Sequence, residues 1–139
     1  MKIHLYFAGK PRDQHAGAIA AEFLKRSSRY VKCEMREADP KRNDPLPRHP
    51  SAFKIALDPA GRSMDSPSLA ALLAKLELEA RDILFLVGGH DGLPAHWRAQ
   101  ADLLLSLSSM TFPHELARAM LAEQIYRAFT TLRGHPYPR

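Results

Sequence analysis

Five consecutive apolar residues, Ile83-Leu84-Phe85-Leu86-Val87, stop at the pair Gly88-Gly89. A run this short and this uniformly apolar suits a strand covered on both faces, and such strands belong to parallel sheets flanked by helices. Parallel neighbours cannot be joined by a hairpin, so helical crossovers must separate the strands.

The rest of the chain supplies that alternation. Lys2 to Ala8 places Ile3, Leu5 and Phe7 on one side and ends at Gly9, predicting a half-buried strand. Ala16 to Lys25 carries Ile19, Phe23 and Leu24 at helical spacing. Val31, Cys33 and Met35 alternate with Lys32, Glu34 and Arg36, again a strand. Pro40, Pro45, Pro47 and Pro50 rule out regular structure between them and predict a solvated loop within the domain. Ala52 to Leu57 reads as a short strand closed by the turn residues Asp58-Pro59-Ala60-Gly61. Ser66-Pro67 reads as an N-cap and first helical position, followed by the stripe Leu69, Leu72, Leu73, Leu76 and a helix to Ala80. Pro94 opens a helix through Asp102, Leu103 to Leu107 is the last strand, and His114 to Leu132 the last helix. The expected fold is α/β: one domain over residues 1–139, a mostly parallel sheet with helices on both faces.

Composition narrows the function classes. Apolar content of 45% and charged content of 25% are those of a soluble protein, and no apolar run is long enough to span a membrane. The first residues read as a strand without a signal peptide, and the single Cys33 cannot form an internal disulfide, so a cytoplasmic location is expected. Twenty Lys and Arg against fifteen Asp and Glu give a net charge of +5, which favours a polyanionic partner.

In parallel α/β sheets ligands bind beyond the carboxyl ends of the strands. Three loops lie there: 57–61, 88–92 and 108–113. If their strands are neighbours, the loops wall one pocket. Gly88 and Gly89 form either a plain turn or a close backbone approach to a ligand. They do not form a G-x-G-x-x-G fingerprint, which disfavours a nicotinamide cofactor. Ser108, Ser109 and Thr111 either cap the last helix or line the pocket; neither serine sits in a G-x-S-x-G elbow. His90, Asp91 and His96 match no zinc spacing, so no metal site is expected. Glu123 and Arg127 form an i,i+4 pair read as a solvated support. Arg133, His135, Tyr137 and Arg139 are either a frayed end or a contact for a phosphate and a stacked base.

Taken together, G-G-H-D-G (88–92), L-S-x-S-x-x-T-F-P-H-x-L-A-R-A-M-L-A-E-Q-I-Y-R-A (105–128) and G-H-P-Y (134–137) resemble the ribosomal RNA large subunit methyltransferase H family of the SPOUT superfamily. K-I-H-L-Y-F-A-G-K and L-D-P-A-G-R-x-M-x-S (57–66) are similar to its first strand and third-strand turn. The resemblance implies a C-terminal trefoil knot and S-adenosylmethionine-dependent methylation of N3 of a pseudouridine in large-subunit (23S) ribosomal RNA. It implies a cofactor pocket of Leu57, Gly88, Gly89, Leu107, Ser108, Ser109, Met110, Thr111 and Phe112. It also implies a homodimer acting on ribosomal RNA or the ribosome, the tail of one subunit completing the other's site. On this basis Arg133, His135, Tyr137 and Arg139 are expected to bind substrate, with His135, Tyr137 and Arg139 catalytic. The segment from Ala38 to Ala52 is shorter than the family's, and Pro138 stands where the family usually has a second histidine. Those departures motivate an alternative, a catalytically impaired ribosome- or RNA-binding module.

Overall fold

The computed structural model describes residues 1–137. Strands β1 (Lys2–Ala8), β2 (Lys32–Ala38), β3 (Phe53–Ser63), β4 (Ile83–Val87) and β5 (Leu103–Ser106) form one sheet in the order β2-β1-β4-β3-β5. All four pairings are parallel. Helices α1 (Gln14–Ser27), α2 (Ser66–Leu78) and α3 (Ala95–Gln100) lie in the crossovers after β1, β3 and β4, and α4 (His114–Leu132) follows β5. The proline-rich stretch stays irregular apart from a single 3-10 turn at Leu46–Arg48.

As its apolar run predicts, β4 is buried on both sides. Ile83, Phe85 and Val87 join Ile3, Leu5 and Ile55 beneath α1, α2 and α4, where Leu24, Leu73, Leu121 and Phe129 complete the larger core. Leu84 and Leu86 face the other way, with Tyr6 and Ala56 under Trp97 of α3 and Leu46 of the 3-10 turn. Helical cover is thus heavy on one face and light on the other. Trp97 is fully buried, and its indole N–H donates to Asp44 Oδ1 at 3.0 Å, which fastens the proline-rich loop to the sheet.

Several boundaries differ from expectation, among them the end of α3, at Gln100 instead of Asp102, and the end of β5, at Ser106 instead of Leu107. β3 does not stop at Leu57: the 58–61 segment bulges and the strand resumes, with Leu57 and Arg62 both opposite Leu105. The Asp58 carboxylate supplies the bulge, accepting the Ala60 N–H at 2.8 Å. The cap of α2 is Asp65, which accepts from Ser68 N at 2.8 Å, so Ser66 is already helical and Pro67 follows it. The far end of α2 closes at Leu78 in a Schellman arrangement, Ala80 N–H to Glu77 C=O and Arg81 N–H to Leu76 C=O, both 3.0 Å. Ala80 takes the left-handed conformation there, φ +52°.

Helices α1 and α4 are tied at their N-termini. Asp13 caps α1 through His15 and Ala16 N–H, while Glu115 of α4 accepts from Arg12 N at 2.8 Å and Asp13 N at 3.2 Å. These backbone donors hold the Glu115 carboxyl below its ordinary value. Behind it, the Arg118 guanidinium is buried 3.8 Å from the Phe7 ring centroid.

Ala80→Gly should raise stability by about 0.5–1 kcal/mol in chemical denaturation, the relief of left-handed strain exceeding the added flexibility of the unfolded chain. Glu115 binds its proton less readily folded than unfolded. Its contribution is therefore complete at neutral pH and is lost as pH falls below about 4.3, the ordinary glutamate value. The midpoint of thermal unfolding of Glu115→Gln should fall less on acidification than that of the parent.

Candidate functional site

Because β4, β3 and β5 are neighbours, their carboxyl ends open side by side. The loops after them surround a cavity of about 370 Å³, within the ~300–1,000 Å³ usual for small-molecule sites. Leu57, Asp58 and Pro59 come from the β3 bulge, and Gly88, Gly89, His90, Gly92 and Leu93 from the loop after β4. Leu107, Ser108, Met110 and Phe112 come from the loop after β5. Arg98 of α3 and His114 and Ala117 of α4 close the wall.

Seven of the nine expected pocket residues therefore meet: Leu57, Gly88, Gly89, Leu107, Ser108, Met110 and Phe112. Ser109 and Thr111 are exposed and outside the lining. Nor do the hydroxyls cap α4, whose N-cap is Pro113 without a side-chain acceptor. They fold the loop on itself instead: Ser106 Oγ donates to Ser108 C=O at 2.9 Å, and Ser108 Oγ accepts Met110 N–H at 3.0 Å.

The glycines are needed first for chain-to-chain contact. A Cβ on Gly89 would lie 2.5 Å from the Ala8 carbonyl oxygen, and one on Gly88 2.6 Å from the Gly92 backbone. The pair packs the loop onto β1 and closes it on itself, as the Gly89 to Gly92 bridge shows.

The expected tail residues lie elsewhere in the chain. None of Arg133, His135 and Tyr137 lines the cavity, while Arg139, like Pro138, is outside the described residues. His114 at the start of α4 touches the cavity and Arg133 follows its last turn, so the helix separates them by about 28 Å at ~1.5 Å per residue. Arg133 forms a forked pair with Glu77, at 3.0 and 2.5 Å. The Tyr137 hydroxyl donates to Glu123 Oε2 at 2.7 Å, and its ring sits 4.6 Å from Tyr126. Burial, then Glu123, raises the Tyr137 pKa, which keeps the phenol a donor. Arg127 binds the same carboxylate at 2.9 Å, so the expected solvated pair is a joint holding the tail. His135 is exposed, its Nδ1 accepting Tyr137 N–H at 3.1 Å.

Residues 1–138 match the family model described as predicted SPOUT methyltransferase. Ribosomal RNA large subunit methyltransferase H of Solibacter usitatus (strain Ellin6076) is 67% identical over 139 residues, covering 100% of both chains. The chain belongs to this methyltransferase H family of SPOUT proteins. A probable methyltransferase from Bordetella pertussis Tohama I shares the fold at TM-score 0.61 and 15% identity, over 91% of this chain and 95% of that one. The SpoU methyltransferase AviRb from Streptomyces viridochromogenes, in complex with the cofactor AdoMet, has TM-score 0.50 and 14% identity over 89% and 56%.

For a methyltransferase H relative the donor set of this cavity is informative. Its walls are apolar at Leu57, Val87, Leu105, Leu107 and Phe112, with one carboxylate, Asp58, and one guanidinium, Arg98. That composition suits a ligand with a flat heterocycle and a charged end. Asp58 and Pro59 lay in a segment already suspected, but Arg98 gave no signal, sitting in a six-residue helix with no motif of its own. His96 binds Asp44 Oδ2 at 2.9 Å, away from His90. A different group gathers on the lightly covered face: His4 Nδ1 lies 2.7 Å from Glu34 Oε1, and His49 stacks on His4 at 4.0 Å. One ligand atom from each of His4, Glu34 and His49 lies within 4.8 Å of the other two.

Gly89→Ala should destabilise the fold by about 1–3 kcal/mol, an overpacking cost. Urea unfolding of the protein without ligand measures this; an unchanged midpoint would contradict the contact with Ala8.

Proposed function

We propose that this chain methylates N3 of a pseudouridine in large-subunit (23S) ribosomal RNA, using S-adenosylmethionine held in the cavity between the loops after β3, β4 and β5. The observation that carries the reading is the meeting of those loops around one cavity in a chain 67% identical to a ribosomal RNA large subunit methyltransferase H. The net charge of +5 favours the RNA substrate.

When bound, the cofactor supplies a methyl group already activated on a sulfonium. The chain's task is therefore alignment and exclusion of water. Leu57, Leu107 and Phe112 offer apolar surface for the heterocycle, and the Gly88–Gly92 hairpin fixes the floor. The target imide must lose its N3 proton, and cations near its carbonyls ease that loss. His135 and Arg139 are the groups for this, with Tyr137 positioning the base.

Arg133 stands about 28 Å along α4 from the cavity edge at His114, so residues 133–137 suit another copy's cavity, and the working form is a homodimer with composite sites. A knotted C-terminal segment and action on the assembled or nearly assembled ribosome, in the cytoplasm, complete the reading. Among the described residues no helix is long and apolar enough to cross a membrane. An impaired binding module is disfavoured, since all three loops keep their places in the wall.

Tritiated methyl transfer to ribosomes lacking the modification, followed by nucleoside analysis, tests the activity: 3-methylpseudouridine is expected, and no transfer refutes it. Ala117→Leu puts a larger side chain into the cavity from a helix that tolerates it. Calorimetry should show S-adenosylmethionine affinity lowered about tenfold or more, with the unfolding midpoint kept.

A further inference from the structure

We propose that Asp58 and Arg98 form the subsite for the zwitterionic amino-acid end of the methyl donor, a step that rests on the cofactor reading above. Among the described residues lining the cavity, Asp58 is the only carboxylate and Arg98 the only guanidinium. They stand together, Arg98 Nη1 donating to Asp58 Oδ2. Their exposures differ sharply: the Asp58 side chain is 5% exposed and the Arg98 side chain 47%.

The two oxygens of Asp58 have separate duties. Oδ1 accepts the Ala60 N–H and shapes the β3 bulge, which accounts for a buried acid at this position. Oδ2 is not needed for the bulge and, among the described residues, takes its hydrogen bond from the guanidinium. A buried carboxylate beside a guanidinium on a solvent-accessible stem is the complement of an α-amino acid. The ligand's ammonium takes the carboxylate, and the fork of the guanidinium takes the ligand's carboxylate. Without ligand, each protein group neutralises the other, so no bare charge is left in the wall. When the ligand binds, Arg98 shifts along its exposed stem while Asp58, held by the bulge, stays in place. The pair thus fixes which way round the cofactor lies and leaves its heterocycle to the apolar wall.

The test is calorimetry on the full chain with three ligands. S-adenosylmethionine and S-adenosylhomocysteine carry the amino-acid end; 5′-methylthioadenosine has the same nucleoside thioether without it. Asp58→Asn keeps an oxygen for the Ala60 N–H, and Arg98→Gln alters a half-exposed side chain. Both should weaken the first two ligands about tenfold or more and leave 5′-methylthioadenosine within about twofold. If Asp58→Asn fails to fold, Arg98→Gln carries the comparison, with decarboxylated S-adenosylmethionine as a further ligand. Wild-type protein should bind that analogue more weakly than the parent cofactor, and Arg98→Gln should bind the two alike. Equal losses for all three ligands, or none, overturn the subsite while the cofactor reading stands. Wild-type protein that binds none of the three overturns both.

Discussion

The approach of β3 to β5 beyond Leu57 sets the distances at the site. A Cβ on Gly61 would lie 2.5 Å from the Leu104 carbonyl oxygen and 2.6 Å from its carbon, so only glycine lets the two backbones lie this close. Because they do, the strand can eject the 58–61 bulge and still resume pairing, Arg62 opposite Leu105 and Ser63 opposite Ser106. The bulge carries Asp58 and Pro59 into the cavity wall. On the opposite flank Gly89 presses on Ala8 in the same manner. The cavity is bracketed by two places where missing side chains let main chains touch, and its width follows from those contacts more than from the groups that line it.

Much of this was legible because it depends on periodicity. β4 reads as doubly buried from five apolar residues, and α4 reads from His114 to Leu132 because its stripe persists for the whole helix. Residues 58–61 misled for a physical reason. Asp-Pro-Ala-Gly has the chemistry of a turn, and local chemistry cannot separate a turn that ends a strand from a bulge that interrupts one. The partner strand decides, and β5 lies more than forty positions later. Asp65 and Ser66 are both competent caps, and the choice between them fell to which reaches Ser68 N–H. In the loop after β5, residue types pointed to a pocket without saying which side chains face it. Arg98 was invisible because its partner, Asp58, is forty residues away and comes near only through the bulge.

The tail shows how identity and placement carry different information. Its residue types announce a contact with phosphate and base, yet within one chain they are occupied with structure. Gly134, at φ +70°, ends α4, and His135 N–H returns to Thr130 C=O at 2.9 Å. Arg133 gives its fork to Glu77, and Tyr137 gives its hydroxyl to a carboxylate already held by Arg127. These ties make the last turn of α4 a rigid mount up to Tyr137.

A rigid mount matters most if the site is shared. Presenting side chains to another molecule's cavity from a loose end would lose the ordering entropy of each one at the moment of binding, about 0.5–1.5 kcal/mol per mobile side chain. Here the ordering is done on folding, by hydrogen bonds inside the chain. On the composite-site reading, Glu123, Arg127 and Glu77 act by aiming the tail, without touching the reacting atoms. The cost of that precision is that Arg133 and the Tyr137 hydroxyl are already engaged. His135 is exposed; among the described residues its Nδ1 and backbone N–H make its hydrogen bonds, so its Nε2 edge is the one to meet substrate. The same α4 that holds this tail at one end supplies His114 and Ala117 to the cavity at the other. One helix therefore fixes both halves of the proposed site, and only the approach of a second copy remains to bring them together.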